Sequence, residues 1–161
     1  MTESTSHISG NEITITRLIH APREQVWNMW TEVQHLVQWW GQPKGAKMPE
    51  FKMDFRVGGT FLYKIELPDG KVIWGKKIYK EIDEPNRLVF DDFFSDEDGN
   101  VIITEETPHM VITVVFEADG DATKLIITHA GITGSTHTVD QYKEGWAQVL
   151  DRLDELVTTI R

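Results

Sequence analysis

Two side chains could do chemistry by virtue of the company they keep. Asp92 falls in phase with Leu88, Phe90 and Phe94, and His129 with Leu125 and Ile127. A period of two is the repeat of a β-strand, so each polar group is expected on a face that otherwise carries large apolar side chains. A buried carboxyl or imidazole needs a partner. Brought together in a cleft, the two could bind a polar group or pass a proton. Plainer readings compete: Asp91 is the opposite-face alternative if the strand bulges, and His129 can be a satisfied core or rim histidine.

Other chemistries find little support. The chain has no cysteine, which removes disulfides, thiol catalysis, Cys-ligated zinc and iron–sulfur sites. Asp96, Asp98 and Asn100 imitate the opening of a calcium loop, but Val101 and Thr107 stand where Gly and Glu are required, so an acidic hairpin tip is expected. The six histidines form no His-Glu-x-x-His pair, and no metal or other cofactor is expected. Ser135, His137 and Asp140 lie close in sequence, yet a catalytic triad is defined by geometry, and a polar loop leading into a helix is the simpler account. There is no phosphate-binding glycine loop. The basic residues Lys44 and Lys47, and Lys76 with Lys77, are too sparse for a nucleic-acid stripe.

The elements that must position Asp92 and His129 can be read from the same periodicities. Residues 12–19 alternate and form a strand. Pro22 suits the first position of a helix that carries Glu24, Val26, Trp27 and Trp30. A second short helix follows, with Thr31 and Gln34 at capping-box spacing, and Gly41, Pro43 and Gly45 end it. Strand-like runs then cover 51–55, 60–66, 72–82, 87–94, 110–117 and 123–129, separated by turns such as Pro68-Asp69-Gly70. About seven strands in hairpin succession make an antiparallel sheet. From Thr138, another capping-box position with Gln141, the stripe Val139, Tyr142, Trp146, Val149, Leu153, Leu156, Val157 and Ile160 marks one amphipathic helix of roughly 35 Å. Its apolar face must lie against the concave face of the sheet. Gly145 in mid-helix costs about 1 kcal/mol relative to alanine, which a close approach of the backbone beside Trp146 would offset.

Size and charge fit one soluble domain. The chain has 161 residues, 40% hydrophobic and 26% charged, ordinary for a globular protein. Sixteen basic against 26 acidic residues leave a net charge of −10, which disfavours nucleic acid and anionic membrane as partners. The polar start lacks a signal peptide's apolar stretch, and no run suits a membrane span, so the expected location is the cytoplasm. Residues 1–11 read as a flexible head and 12–161 as a single domain.

This order of elements, with several local motifs, resembles the START-like, or helix-grip, SRPBCC superfamily, in the branch named after homologues of the activator of the heat-shock-protein 90 ATPase. The motifs are Ala21-Pro22-Arg23-Glu24-Gln25-Val26-Trp27, Gln38-Trp39-Trp40-Gly41, Phe55-Arg56-Val57-Gly58-Gly59, Asp69-Gly70 with Trp74-Gly75, Glu84-Pro85-Asn86-Arg87-Leu88-Val89-Phe90, and Gly145-Trp146. The resemblance implies an α+β helix-grip fold: a curved seven-stranded antiparallel sheet around a long C-terminal helix, with two short helices after the first strand. It supplies no catalytic residues.

A sheet gripping a helix tends to leave an apolar cavity suited to a ligand. The expected ligand-binding residues are Trp39, Trp40, Phe61, Tyr63, Trp74, Phe90, Asp92, Met110, Ile112, His129 and Trp146. The leading expectation is a carrier or sensor of an apolar or aromatic small molecule, as a monomer or homodimer. A chaperone or other protein-interaction module and a small cyclase- or hydratase-like enzyme using Asp92 or His129 are the alternatives, as is an interior simply filled by its own aromatic side chains.

Overall fold

The computed structural model describes residues 4–133 and 138–159. In chain order the elements are β1 (Ser4–Ser9), β2 (Glu12–Ile19), α1 (Arg23–Thr31), α2 (Val33–Leu36), β3 (Lys47–Met53), β4 (Thr60–Glu66), β5 (Val72–Asp83), β6 (Arg87–Ser95), β7 (Val101–Ile102), β8 (Met110–Asp119), β9 (Ala122–Ala130) and α3 (Val139–Thr159). The strands form one antiparallel sheet in the order β1-β2-β9-β8-β6-β5-β4-β3, and β7 pairs the end of β6. This is the expected curved sheet around a long C-terminal helix, with nine strands among the described residues rather than seven.

The two extra strands escaped the periodicity for a physical reason. Residues 5–9 of β1 are exposed throughout, so nothing selects an alternating apolar pattern there. Main-chain bonding to β2 holds the strand, in a register running from Ser4↔Arg17 to Ser9↔Glu12. Residues 4–9 of the expected flexible head are therefore an edge strand. The other addition, β7, is two residues long. The strand expected over 51–55 begins earlier, at Lys47, and ends at Met53.

Alternation sorts the faces of the inner strands as expected. Phe61, Tyr63 and Ile65 of β4, Leu88 and Phe90 of β6, Met110, Ile112, Val114 and Phe116 of β8, and Leu125, Ile127 and His129 of β9 are all buried on the concave side. Buried on α3 are Trp146, Val149, Leu150, Leu153, Asp154 and Val157. Ile160 lies outside the described residues. Arg17 shares the inner face of β2 with Ile13, Ile15 and Ile19, and its guanidinium reaches Asp151 of α3 at 2.6 Å. Asp154 accepts a bond from the His20 backbone N–H at 3.0 Å. These two contacts tie the helix to the strand beneath it.

The helix caps divide into one expectation met and two corrected. Thr138 and Gln141 do form the reciprocal box: Thr138 N–H donates to Gln141 Oε1 at 2.9 Å, and Gln141 N–H donates to Thr138 Oγ1 at 3.3 Å. Thr31 does not cap α2. It is the last residue of α1, and its hydroxyl donates back to the Trp27 carbonyl at 2.9 Å, the local bond open to a threonine whose preceding turn is already helical. Pro22 stands just before α1 as its cap, and its carbonyl accepts from Gln25 and Val26. At the acidic tip, Asp96 accepts from the backbone N–H groups of Asp98 and Asn100, both at 2.9 Å. The tip is thus a closed turn. Among the described residues no group of three or more His, Asp or Glu is placed to hold a metal ion.

Candidate functional site

The interior has two unlike halves. Under α1 and α2 it is solid with aromatic rings. Trp30 meets Trp39 at 4.7 Å, Trp40 at 5.9 Å, Phe116 at 6.1 Å and Trp146 at 6.2 Å between ring centroids. Under the first half of α3 the packing stops. A cavity of about 300 Å³ opens there between the helix, strands β4, β5, β6, β8 and β9, and the turn at residues 40–43. It is roughly twice the ~150 Å³ apolar void that suffices for benzene in an engineered core. Its walls are mostly apolar and aromatic: Trp40, Ile73, Phe94, Met110, Ile112, Tyr142, Trp146 and Val149.

Three polar side chains from the sheet face this space: Asp92, Tyr63 and His129. Pairing places Asp92 opposite Lys77 on one side and opposite Met110 on the other. Tyr63 comes from β4, and its hydroxyl donates to Asp92 Oδ1 at a long 3.5 Å. Burial raises the Asp92 carboxyl to about 6, while the Lys77 charge and the Tyr63 bond hold it down. Asp91, the opposite-face alternative, does point outward, where it meets His109 at 2.7 Å and Lys80 at 3.7 Å. The β6 strand therefore runs unbulged through this point, and Asp92 is the inward residue.

Lys77 is the unexpected member. It is wholly buried, and its Nζ has no hydrogen-bond partner. The ammonium position is surrounded by rings, with centroids at 3.3 Å (Trp40), 4.3 Å (Phe90), 5.6 Å (Phe61) and 6.0 Å (Trp30). A ring face stabilises a desolvated cation by about 2 kcal/mol or more. Losing hydration costs several kcal/mol per ion. Burial therefore wins, and the amine lies well below its ordinary value, with Asp92 pulling it partly back.

His129 is committed on both nitrogens. Trp146 Nε1–H donates to its Nδ1 at 2.9 Å, so the ring proton sits on Nε2, which faces Met110 Sδ at 3.0 Å. Burial depresses the imidazole to about 4, so it is neutral at ordinary pH. With its lone pair occupied, His129 orients Trp146 across the cavity wall and is no base.

The sequence pattern of the family described as Activator of Hsp90 ATPase homolog 1-like protein matches residues 20–158. The chain belongs to this family. Its fold is shared by solved structures. These include Ms6760 from Mycobacterium smegmatis, 24% identical with a TM-score of 0.78 over 96% of this chain and 94% of that one. A protein from Staphylococcus epidermidis is 23% identical, with a TM-score of 0.82 over 98% and 95%. CalU16 from Micromonospora echinospora is 21% identical, with a TM-score of 0.65 over 98% and 86%. At these identities the likeness is one of fold. No curated protein matches the sequence. No described helix is long and apolar enough to cross a membrane.

Within this Hsp90-activator-like fold, the residues expected at a ligand site do not all meet. Trp40, Tyr63, Asp92, Met110, Ile112, His129 and Trp146 line the cavity. Trp39, Phe61 and Phe90 are instead fully buried in the solid half, and Trp39 Nε1–H donates to the Met29 carbonyl at 2.9 Å. Trp74 pairs with Lys64 across the β4–β5 ladder, and the Lys64 ammonium lies 6.0 Å from its ring. That is the outer face, because Ile73 and Gly75 on either side of it point inward. Ser135 and His137 lie outside the described residues. Sequence reasoning missed Lys77, which alternation from Gly75 to Tyr79 would have placed inward. It also missed Ile73, Tyr142 and the rim residues Gln141 and Gln148.

Gly145 corrects a further expectation. It stands at the cavity rim, and a Cβ built there would meet nothing within 4 Å. No close backbone approach offsets its cost, and open space beside Trp146 takes its place. Gly145→Ala is therefore expected to stabilise the protein by about 0.5–1 kcal/mol, seen as a melting temperature raised by roughly 1–4 °C. A lowered melting temperature would show that something does pack against this turn of α3.

Proposed function

We propose that the protein binds an apolar or aromatic small molecule in the cavity between the sheet and α3, as a carrier or sensor. The observation that carries the reading is the contrast between the halves: the same sheet is packed solid under α1 and α2 but leaves about 300 Å³ under α3. Cavities with mostly apolar walls and a few convergent polar groups are what small-molecule sites look like. The family description suggests a chaperone-interaction module instead. The exposed run Val101, Ile102 and Ile103, at 37%, 43% and 61%, favours that alternative, but it gives no reason for the internal space. The enzyme alternative retains Asp92 with Tyr63 and loses His129.

Calorimetric titration with naphthylethanol, a neutral bicyclic aromatic alcohol, tests the proposal. Burying one such ring system in place of water supports a Kd of roughly 0.1–1 mM. The indole N–H resonances of Trp40 and Trp146 are expected to shift on binding while that of Trp74 stays in place. Absence of heat and of shifts at saturating probe would sink the reading.

A further inference from the structure

The electrostatics of the cavity narrow the ligand class, an inference that rests on the cavity being a binding site. Among the described residues that line it, Asp92 is the one charged side chain. Among the described residues no lysine or arginine faces the space, and His129 is held neutral with its lone pair spent on Trp146. The nearest cation, Lys77, is sealed among Trp40, Phe90, Phe61 and Trp30 and is wholly buried, so it can act on a guest only through space. An anionic guest would meet a carboxylate with no counter-charge within reach. A cationic guest would give Asp92 a direct ionic partner inside the cavity, where its own contacts are the long Tyr63 bond and the through-space pull of Lys77. Trp40 and Trp146 line the same space, and aromatic rings attract ammonium groups.

We infer that the ligand is an apolar or aromatic amine, bound as its ammonium form with the charged nitrogen against Asp92 and the apolar body along Trp40, Phe94, Tyr142 and Trp146. Fatty acids and aryl carboxylates are selected against by the same carboxylate. The long Tyr63–Asp92 contact of 3.5 Å leaves the Asp92 oxygens open to a stronger donor, and an ammonium N–H provides one.

Three probes that share one ring system separate the possibilities: naphthylethylamine, naphthylethanol and naphthylacetate, each titrated calorimetrically into the full chain at pH 7.5. The amine is expected to bind roughly tenfold tighter than the alcohol, and the acid weakest. Asp92→Asn, nearly the same shape, is expected to erase the amine's advantage over the alcohol. The wild type offers a second readout that needs no variant. Between pH 7.5 and 5 the amine's advantage is expected to collapse as Asp92 takes up its proton near 6, while the alcohol stays level. The titratable groups facing Asp92 do not reverse that sign. Tyr63 and Tyr142 are shifted upward and His129 down to about 4. Lys77 gains charge as pH falls, which delays Asp92 protonation but also repels a guest ammonium, so the amine's advantage still falls. An amine that binds no better than the alcohol, an acid that binds as tightly, an advantage that survives Asp92→Asn or one that is flat with pH each overturns the inference and leaves the cavity site standing. Failure of all three probes overturns both.

Discussion

Lys77→Met makes the protein more stable, by about 2 kcal/mol at pH 7, which for a chain of this size raises the melting temperature by roughly 4–8 °C. Methionine has nearly the length and volume of the lysine stem and fills the slot between Trp40, Phe90, Phe61 and Trp30 without an ammonium to desolvate. Replacing a buried ion pair by well-packed apolar side chains of similar volume is commonly neutral or stabilising by 1–4 kcal/mol, and Asp92, left without the Lys77 charge, avoids an uncompensated buried charge by taking up a proton. Here the charge has no hydrogen bond to lose. The pH dependence identifies the cause. The folded Lys77 amine lies well below 10.5, so between its folded value and 10.5 the unfolded chain holds more protons, and wild-type stability rises with pH. The variant lacks that slope. Its advantage is therefore largest at neutral pH and below, and shrinks as pH climbs toward 10.5. The same variant removes the charge that holds Asp92 down, so the carboxyl is expected to titrate above its wild-type value of about 6 in a carbon-detected NMR titration. A melting temperature at or below that of the wild type would mean that the amine is satisfied where it sits.

The buried lysine also marks where reading the chain residue by residue ran out. Alternation was enough to put Phe61, Tyr63 and Ile65, and Asp92 with Leu88 and Phe90, on the concave face, because one side of each strand is packed and a register slip would expose the whole set. The same rule applied to Gly75, Lys77 and Tyr79 gives the right face, but a lysine read by type is assigned to solvent. The line between cavity and solid core was invisible for a different reason. Phe90 and Asp92 sit two residues apart on one face of one strand, and only the second reaches open space. What separates them is where α1 and α2 end above the sheet and where the Trp40 ring lands, 5.7 Å from both Phe90 and Trp146. Those are contacts between distant segments. Trp74 lies on the outer face although its neighbour Gly75 faces inward, since one position along a strand is the other side of the sheet. At Gly145 the helix cost does not say whether the space left by the missing side chain is filled or open.

Gly75→Ala should destabilise the fold by about 2 kcal/mol, although alanine is ordinarily preferred to glycine in a strand by 0.5–1 kcal/mol. Gly75 faces Tyr63 directly across the β4–β5 ladder, and the far end of the tyrosine ring lies over it. A Cβ at Gly75 would fall 2.3 Å from Tyr63 Cζ and 2.4 Å from its hydroxyl oxygen. The ring has little freedom to yield, because Phe61 stacks on it at 5.0 Å with 26° between the planes and the residue is only 6% exposed. The direction still open is into the cavity, toward Asp92. The melting temperature is expected to fall by roughly 4–8 °C. The same substitution made in a Tyr63→Ala background should cost nothing or show the small gain expected of alanine, a coupling of the size measured for side chains in direct contact. If the loss is unchanged without the tyrosine ring, it comes from the strand backbone instead. In the single variant a ring pushed forward also occupies space beside Asp92, so naphthylethanol binding should weaken together with stability. Stability lost with the probe's affinity intact would place the displaced ring somewhere other than the cavity.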